Sequence, residues 1–222
     1  MTEIVEILKS PTTNESLRII DNELVSDSGK EKFQVEDNIL KFLSKENIED
    51  KTKNVRKFYL DYSFPNYNDF DNLEHFVDKM SDNSFIKDLL EFIKPTDKIL
   101  EFGCGTGQLG NFLAATGYAK IISADLSINS LRLANNFRKK NNLEGIDFVE
   151  TDIFKNCFKE EVFDIIISNG VLHHTINPYL AFQNLIKLLK KDGIIVIGLY
   201  NKISRLKNSL IKYGAKVFGD NV

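Results

Sequence analysis

Apolar and polar positions along residues 98–200 form a repeating pattern of short apolar runs and longer amphipathic stretches. The short runs predict buried strands, and the stretches between them, where apolar residues recur every three or four positions, predict helices. This alternation is typical of an α/β fold with right-handed crossovers and a doubly wound, mostly parallel sheet. The predicted strands are 99–102, 120–126, 146–150, 163–169 and 194–200, and the predicted helices include 109–113, 127–141 and 178–191.

Shorter apolar segments near the N-terminus indicate a separate small β appendage. Turn residues at 21–22 and 28–29 divide this region into strand-length pieces. The pieces are 17–20, 24–25 and 33–35, and the run 37–43 closes the unit. We therefore expect a β unit over 1–43, a polar linker over 44–80 and the main domain over 81–222.

The linker contains an aromatic segment, residues 58–67, in which many side chains are Phe or Tyr. So many rings in a short segment are not comfortably solvated. The rings therefore either close over a bound ligand or fill the seam between the two units. After this segment, residues 84–94 predict an amphipathic helix that ends before Pro95.

Three glycines, Gly103, Gly105 and Gly107, follow the first predicted strand of the main domain directly. Glycine permits a sharp turn and the close approach of a ligand. A strand, a glycine turn and a helix N-terminus describe the ligand crevice of a doubly wound sheet. Gly110 completes the spacing of a dinucleotide-binding motif, so NAD binding is one interpretation. A tight turn without any ligand is another.

The sequence Glu101-x-Gly103-x-Gly105-x-Gly107 resembles the first motif of class I S-adenosylmethionine-dependent methyltransferases. The resemblance implies a Rossmann-like domain, S-adenosylmethionine as the cofactor, S-adenosylhomocysteine as the product, and no metal. It also implies that the glycine loop packs against the ligand while Glu101 helps to hold its ammonium end. Residues 64–67 resemble a segment that precedes the domain in some bacterial methyltransferases, so Tyr67 is expected to contact the cofactor.

Two acidic residues follow the next two predicted strands. Asp125 ends the second strand, where a carboxylate can accept hydrogen bonds from both ribose hydroxyls, a role shared with NAD-binding domains. Asp152 matches the methyltransferase position that takes the adenine amino group, which NAD binding does not require, although it can also cap a turn. The resemblance extends the expected cofactor contacts to Leu126, Ile153 and Asn169.

The segment from Ser168 to Thr175, SNGVLHHT, lies at the carboxyl end of the fourth predicted strand. It resembles a segment found in many class I methyltransferases with small-molecule substrates. Methyl transfer is an in-line displacement that depends on alignment and exclusion of water. A base is needed only if the acceptor must lose a proton, and His173 or His174 is the candidate. Alternatively, these histidines cap the strand end or stack on the cofactor.

The N-terminal unit resembles a zinc ribbon of the Trm112-like family. Ser10 and Thr13 stand at the first metal-binding knuckle, and the second falls on Ser26, Ser28 or Gly29. Hydroxyls are poor zinc ligands, and residues 1–43 contain no Cys or His. We therefore expect a ribbon without zinc, with an unrelated β-meander as the alternative.

Charge and composition narrow the possible partners. A net charge of −3 and a pI near 5.7 provide no overall attraction for nucleic acid or an anionic membrane. No apolar run approaches the roughly 20 residues of a membrane span, and two cysteines favour a reducing, cytoplasmic location. We therefore expect a small-molecule acceptor. An rRNA or tRNA methyltransferase and a non-catalytic interaction protein are the alternatives.

The C-terminal region, residues 203–217, predicts one further amphipathic helix. Class I methyltransferases normally follow the fifth strand with a helix and two more strands, for which about twenty residues are too few. We expect those strands to be missing and the strand 194–200 to form an exposed sheet edge. Such an edge pairs readily with other chains. It predicts either a homodimer or a shortened version of a longer relative.

Overall fold

A computed structural model describes residues 2–43, 67–118 and 120–199 of the chain. Nine strands in these ranges form one sheet. In chain order, the strands are β1 (Leu17–Ile20), β2 (Glu23–Ser26), β3 (Lys32–Glu36), β4 (Ile39–Lys41), β5 (Ile99–Phe102), β6 (Ile121–Asp125), β7 (Ile146–Glu150), β8 (Phe163–Asn169) and β9 (Leu189–Gly198).

The central part of the sheet is parallel, with the strand order β7-β6-β5-β8-β9. Every residue of β5 is buried, as expected for a strand that is covered on both faces. The order reverses beside β5, which is the arrangement of a doubly wound sheet. The predicted α/β fold class with a mostly parallel sheet is confirmed.

Helices cover both faces of this parallel region. One face carries a core that includes Ile99, Phe112 and Leu131, and the other carries a core that includes Leu100 and Leu185. Ile99 and Leu100 belong to different cores because successive strand residues point to opposite faces. The helices are α1 (Thr2–Val5), α2 (Leu73–Ser81), α3 (Ser84–Leu90), α4 (Gln108–Ala115), α5 (Ile128–Lys140) and α6 (Pro178–Leu188).

The N-terminal strands extend the same sheet. Strands β1 to β4 form an antiparallel meander, and β4 then pairs in parallel with β7, with Ile39 opposite Phe148. Helix α5 holds the β3–β4 turn, because Asn135 Nδ2 donates to the Asp37 carbonyl at 2.7 Å and Arg132 pairs with Glu36. The predicted β appendage is therefore joined to the main sheet by both strand pairing and helix contacts.

The hydroxyl groups at the first knuckle position of this appendage converge on one carboxylate. Glu31 Oε2 accepts hydrogen bonds from Ser10 Oγ and from Thr13 Oγ1 at 2.6 Å. The Glu31 backbone N–H donates to Ser26 Oγ at 3.1 Å, and both Ser10 and Ser26 are fully buried. These contacts satisfy polar groups that would otherwise be costly to bury.

Two helices end earlier than predicted. Helix α3 ends at Leu90, not at residue 94, and Lys94 N donates to Asp97 Oδ2 at 2.8 Å in a turn from Lys94 to Asp97 that includes Pro95. Phe92 is consequently 59% exposed. Helix α6 ends at Leu188, not at 191.

The early end of α6 has a long-range cause. Leu189 already pairs with Phe163 of β8, and the regular pairing then resumes between Ile165 and Ile194. The residues between these two pairings bulge out, with Asp192 at a φ of +66°. The last part of β9, from Ile194 to Gly198, agrees with the predicted strand.

Several predictions fall on residues outside the described ranges. They concern the aromatic residues 58–64, the end of the fifth strand at Tyr200 and the C-terminal helix 203–217. Within the described ranges, no helix combines the length and apolarity needed to cross a bilayer.

Candidate functional site

The predicted ligand-binding residues meet at the carboxyl edge of the parallel strands. The glycine loop follows β5, Asp125 ends β6, Asp152 follows β7 and Asn169 ends β8. Since these strands are neighbours in the sheet, their carboxyl ends border one crevice, which is where ligands bind in open α/β sheets.

Asp125 connects the glycine loop to β6. Its Oδ2 accepts a hydrogen bond from the Gly105 backbone N–H at 2.8 Å, and its Oδ1 accepts one from the Ser127 N–H at 2.8 Å. Burial raises the pKa of Asp125, while hydrogen bonds from the backbone of Ser127, Gly105 and Leu126 oppose that rise. The residue as a whole is half-buried, and each carboxylate oxygen has a second lone pair for a ligand hydroxyl. Leu126, the next residue, is half-buried.

At two of the motif positions, the backbone conformation and the surrounding packing require glycine whether or not a ligand binds. Gly103 has a φ of +79°, and a Cβ there would lie 2.3 Å from Val171 Cγ2. Gly107 has a φ of +68°, and a Cβ would lie 2.8 Å from Ala134 Cβ. Backbone conformation and close packing therefore explain these two positions without a ligand. Gly105 also has a positive φ, +56°, and its predicted position beside the ligand stays a prediction.

Glu101 anchors helix α4 to the sheet. Its Oε2 accepts hydrogen bonds from Gly110 N at 3.1 Å and from Ser123 Oγ at 3.0 Å. Burial raises the pKa of Glu101 to about 7, and the nearby Asp125 charge adds to this rise. Gly110 is needed here, since a Cβ would lie 2.3 Å from Ser123 Oγ. The predicted contact of Glu101 with the ammonium end of the ligand stays a prediction.

The loop after β7 contains Asp152 and Ile153. Asp152 is 7% exposed, and its Oδ1 accepts a hydrogen bond from the Phe154 backbone N–H at 2.9 Å, as in the turn-capping alternative. The Ile153 side chain is buried in the core, and its carbonyl accepts a hydrogen bond from Asn184 Nδ2 at 3.2 Å. The loop is thus fixed at the predicted position, and its contact with adenine stays a prediction.

The segment after β8 brings both histidines to the same side of the sheet, at the carboxyl ends of the parallel strands. Residues Leu172–His174 form a short 3₁₀ helix, which the sequence pattern did not predict. The rings of His173 and His174 lie 4.0 Å apart between centroids and are tilted by 51°. Asn169 is exposed and lies over Gly198 of β9, where a Cβ would be 1.8 Å from Asn169 Oδ1.

Tyr67 contacts the glycine loop through its hydroxyl. Tyr67 Oη donates to the Thr106 carbonyl at 2.8 Å and accepts a hydrogen bond from Asn111 Nδ2 at 2.8 Å. The ring stacks on Phe137, with centroids 4.0 Å apart. Its hydroxyl is therefore engaged with protein groups, and the predicted contact of Tyr67 with the cofactor stays a prediction.

Sequence reasoning missed Ser123 and Asn111 as parts of this site. Ser123 faces Glu101 because the two residues are in register on neighbouring parallel strands. Asn111 is fully buried in a helix whose other inward residues are mostly apolar. A polar residue on an apolar helix face was the available signal for Asn111, since buried polar groups are normally hydrogen-bonded.

A comparison with protein families decides the identity of this fold. Residues 93–219 match the family model described as a methyltransferase domain, and this match covers more than half of the chain. The chain belongs to the class I S-adenosylmethionine-dependent methyltransferase family.

The methyltransferase is similar to enzymes that differ in their acceptors. It is 33% identical over 113 residues to the ubiquinone biosynthesis O-methyltransferase of Glaesserella parasuis serovar 5 (strain SH0165), covering 49% of this chain and 47% of that protein. It is 28% identical over 131 residues to phosphoethanolamine N-methyltransferase 1 of Triticum aestivum, covering 59% of this chain and 24% of that protein. The chain thus spans less than half the length of either relative.

A solved structure supports the same fold. The crystal structure of a Pyrococcus horikoshii OT3 protein superposes on the methyltransferase with a TM-score of 0.54 at 22% identity. The superposition covers 71% of this chain and 69% of that chain. At this level of identity the similarity concerns the fold alone.

Proposed function

We propose that this methyltransferase transfers a methyl group from S-adenosylmethionine to a small-molecule acceptor. The observation that supports the proposal is the carboxylate of Asp125, a half-buried residue at the carboxyl end of β6 that accepts a hydrogen bond from the Gly105 N–H of the glycine loop. A ribose needs a fixed acceptor of this kind beside a loop that a ligand can approach closely.

The cofactor fits the donors and acceptors at this edge. Asp125 supplies a carboxylate for the ribose hydroxyls, and Gly105 and Leu126 supply neighbouring main chain. Asp152 and Ile153 are proposed to contact the adenine, and Asn169 to contact the ligand from the opposite side of the crevice. The motif residues are proposed to set the shape of the loop; they are Glu101, Gly103 and Gly107. When bound, S-adenosylmethionine supplies an electrophilic methyl group on a sulfonium.

His173 or His174 is proposed to receive a proton when the acceptor carries one on the reacting atom. Both follow β8 at the carboxyl edge, and imidazole has a pKa suited to that task near neutral pH. The protein's remaining contribution is to align the acceptor and exclude water, which accounts for much of the rate in displacements of this type.

A small-molecule acceptor is supported by charge and by the relatives. The net charge of −3 gives no general attraction for RNA. The names of the two relatives specify an O-methyltransferase and an N-methyltransferase acting on phosphoethanolamine. These names include oxygen and nitrogen as methylated atoms, and the proposal does not choose among oxygen, nitrogen and carbon.

A turnover experiment tests this proposal. The purified chain is incubated with S-adenosylmethionine and either a set of phenols, phosphoethanolamine, or bulk ribosomal and transfer RNA. We expect S-adenosylhomocysteine to be released in the presence of a small molecule and not of RNA. Release with RNA alone would overturn the small-molecule acceptor. Binding of S-adenosylhomocysteine without turnover on any acceptor would favour a non-catalytic interaction protein.

The N-terminal unit is proposed to be a zinc-ribbon derivative that holds no metal. Its support is the hydrogen-bond network of Ser10 and Thr13 around Glu31, which occupies the first knuckle position. Metal analysis of the untagged chain is expected to find no stoichiometric zinc, and zinc retained through dialysis against a chelator would contradict this. The cytoplasmic location stays a prediction.

A further inference from the structure

The glycine loop is held at two adjacent residues by different partners. Asp125 accepts the Gly105 N–H, and the hydroxyl of Tyr67 donates to the carbonyl of the next residue, Thr106. Thr106 is fully buried, so its carbonyl is shielded from water that could replace this hydrogen bond. Losing such a buried bond costs more than losing an exposed one.

The direction of each hydrogen bond at Tyr67 follows from Asn111. The Asn111 amide nitrogen can only donate, so Tyr67 Oη is the acceptor in that contact, and the phenol proton points to Thr106. The same amide nitrogen donates to the Ala134 carbonyl of helix α5 at 3.0 Å. Asn111 therefore orients the phenol and ties it to a neighbouring helix.

The ring of Tyr67 is fixed as firmly as its hydroxyl. It stacks on Phe137, with the ring centroids 4.0 Å apart and an interplanar angle of 15°. The Phe76 ring is the next neighbour, with its centroid 5.8 Å from that of Tyr67. Burial raises the pKa of Tyr67 above its ordinary value. The hydroxyl thus keeps the proton that it donates to Thr106 at any pH at which the enzyme would work.

We propose that Tyr67 is a positioning residue that holds the glycine loop in its ligand-binding shape through the Thr106 carbonyl. Asn111 orients Tyr67 for this task. The proposal rests on the proposed function, since it concerns the loop that receives S-adenosylmethionine. It gives Tyr67 an effect on the cofactor without direct contact.

Packing alone is the competing explanation for the same contacts, and two variants separate them. Tyr67→Phe keeps the ring and its stacking but removes the hydroxyl. Phe137→Leu weakens the stacking but keeps both hydrogen bonds. A positioning role predicts that the first variant weakens cofactor binding and that the second mainly lowers the melting temperature.

The experiment measures S-adenosylhomocysteine binding by calorimetry and amide hydrogen exchange of residues 105–107. For Tyr67→Phe we expect the dissociation constant to rise about threefold to tenfold and exchange at 105–107 to accelerate. For Phe137→Leu, which keeps both hydrogen bonds of the Tyr67 hydroxyl, we expect binding within about twofold of the wild type, a change of under about 0.5 kcal/mol. Asn111→Leu, which removes the orienting amide, provides a further test. Like Tyr67→Phe, it should raise the dissociation constant and accelerate exchange at 105–107.

The outcomes distinguish this inference from the function on which it rests. If the wild type does not bind S-adenosylhomocysteine, the proposed function fails. If the wild type binds, and Tyr67→Phe and Asn111→Leu bind equally well with unchanged exchange at 105–107, the positioning role alone is wrong. If Phe137→Leu weakened S-adenosylhomocysteine binding as much as Tyr67→Phe does, the loss of affinity would be due to packing and not to the hydroxyl.

Discussion

The Asp125 carboxylate holds the glycine loop and is also the proposed acceptor for the ribose hydroxyls. It accepts hydrogen bonds from the Gly105 and Ser127 N–H groups, and the ribose hydroxyls would share the same two oxygens. If the ribose binds there, the loop geometry and the ligand affinity both depend on one side chain, which would account for a carboxylate at a position where burial penalises its charge.

Replacing Asp125 with Asn tests this double role. The amide has one acceptor oxygen and no charge, so we expect the dissociation constant for S-adenosylhomocysteine to rise by about tenfold to a hundredfold. Asp164→Asn is the matched control, because Asp164 also accepts a backbone N–H, from Lys98 at 2.9 Å, but lies near the start of β8. Calorimetry showing equal affinities for both variants would contradict the assignment.

Glu101 gives the stability of the protein a specific pH dependence. Its pKa is raised from 4.5 to about 7 by burial, so the folded state binds the proton more tightly than the unfolded state. The free energy of unfolding should therefore fall as pH rises through this window, by about 3 kcal/mol from this group. Glu101→Gln stays neutral and should lack this loss, as measured by urea unfolding at both ends of the window.

Glu36→Gln is the control for the pH experiment. Hydrogen bonds from Lys41 and Arg132 lower the pKa of Glu36, so its stabilisation is present above the unfolded pKa and is lost only as pH falls through the folded pKa. Its titration lies below the Glu101 window, and this variant should parallel the wild type there. If the free energy of unfolding varied with pH in the same way for Glu101→Gln and the wild type, Glu101 would not titrate as described.

At the scale of whole elements, helix α4 approaches the sheet closely enough to require Gly110. Gly→Ala inside a helix normally stabilises a protein by about 0.5–1 kcal/mol. At Gly110, a Cβ would lie 2.3 Å from Ser123 Oγ and 2.9 Å from Ile146 Cδ1. We expect Gly110→Ala to lower the free energy of unfolding by about 1–3 kcal/mol instead.

The double variant Gly110→Ala/Ser123→Ala tests the cause of this loss. It removes the closest atom, so its destabilisation should be smaller than the sum of the two single variants. Urea unfolding of all four proteins provides the measurement. Additive losses, or a stabilising Gly110→Ala, would show that the helix can move away from the sheet.

The elements most accurately predicted from sequence were those with a strong local pattern. Strand β8 is a nearly continuous apolar run, because both of its faces are buried, and its bounds were predicted correctly. The end of α6 was wrong because it depends on the pairing of Leu189 with the distant Phe163. The contacts of Tyr67 with Asn111 and of Ser123 with Glu101 span 44 and 22 residues, beyond the reach of a local pattern.

At the scale of the molecule, β9 is the last strand of the described sheet on one side. Ile194 of β9 is 40% exposed and Leu199, directly after β9, is 62% exposed, and an apolar strand edge templates pairing with other chains. We expect two copies to pair through β9, so that light scattering of the purified chain gives a dimer.

Charge substitutions at the two edges identify the surface involved. Ile194→Lys should shift the molecular mass towards the monomer, while Ile19→Lys at the opposite edge strand β1, where Ile19 is also 40% exposed, should not. A monomeric wild type at high concentration would exclude pairing through this edge.

The most direct test of S-adenosylmethionine chemistry is calorimetric titration of the wild-type chain with S-adenosylhomocysteine and, separately, with NAD. Either ligand would present a ribose to Asp125, which accepts a hydrogen bond from the Gly105 N–H of the glycine loop, but only the first lacks the pyrophosphate that a dinucleotide-binding loop cradles. We predict one site for S-adenosylhomocysteine per chain and no heat of binding for NAD. Binding of NAD, or of neither ligand, would contradict the assignment of this crevice to S-adenosylmethionine.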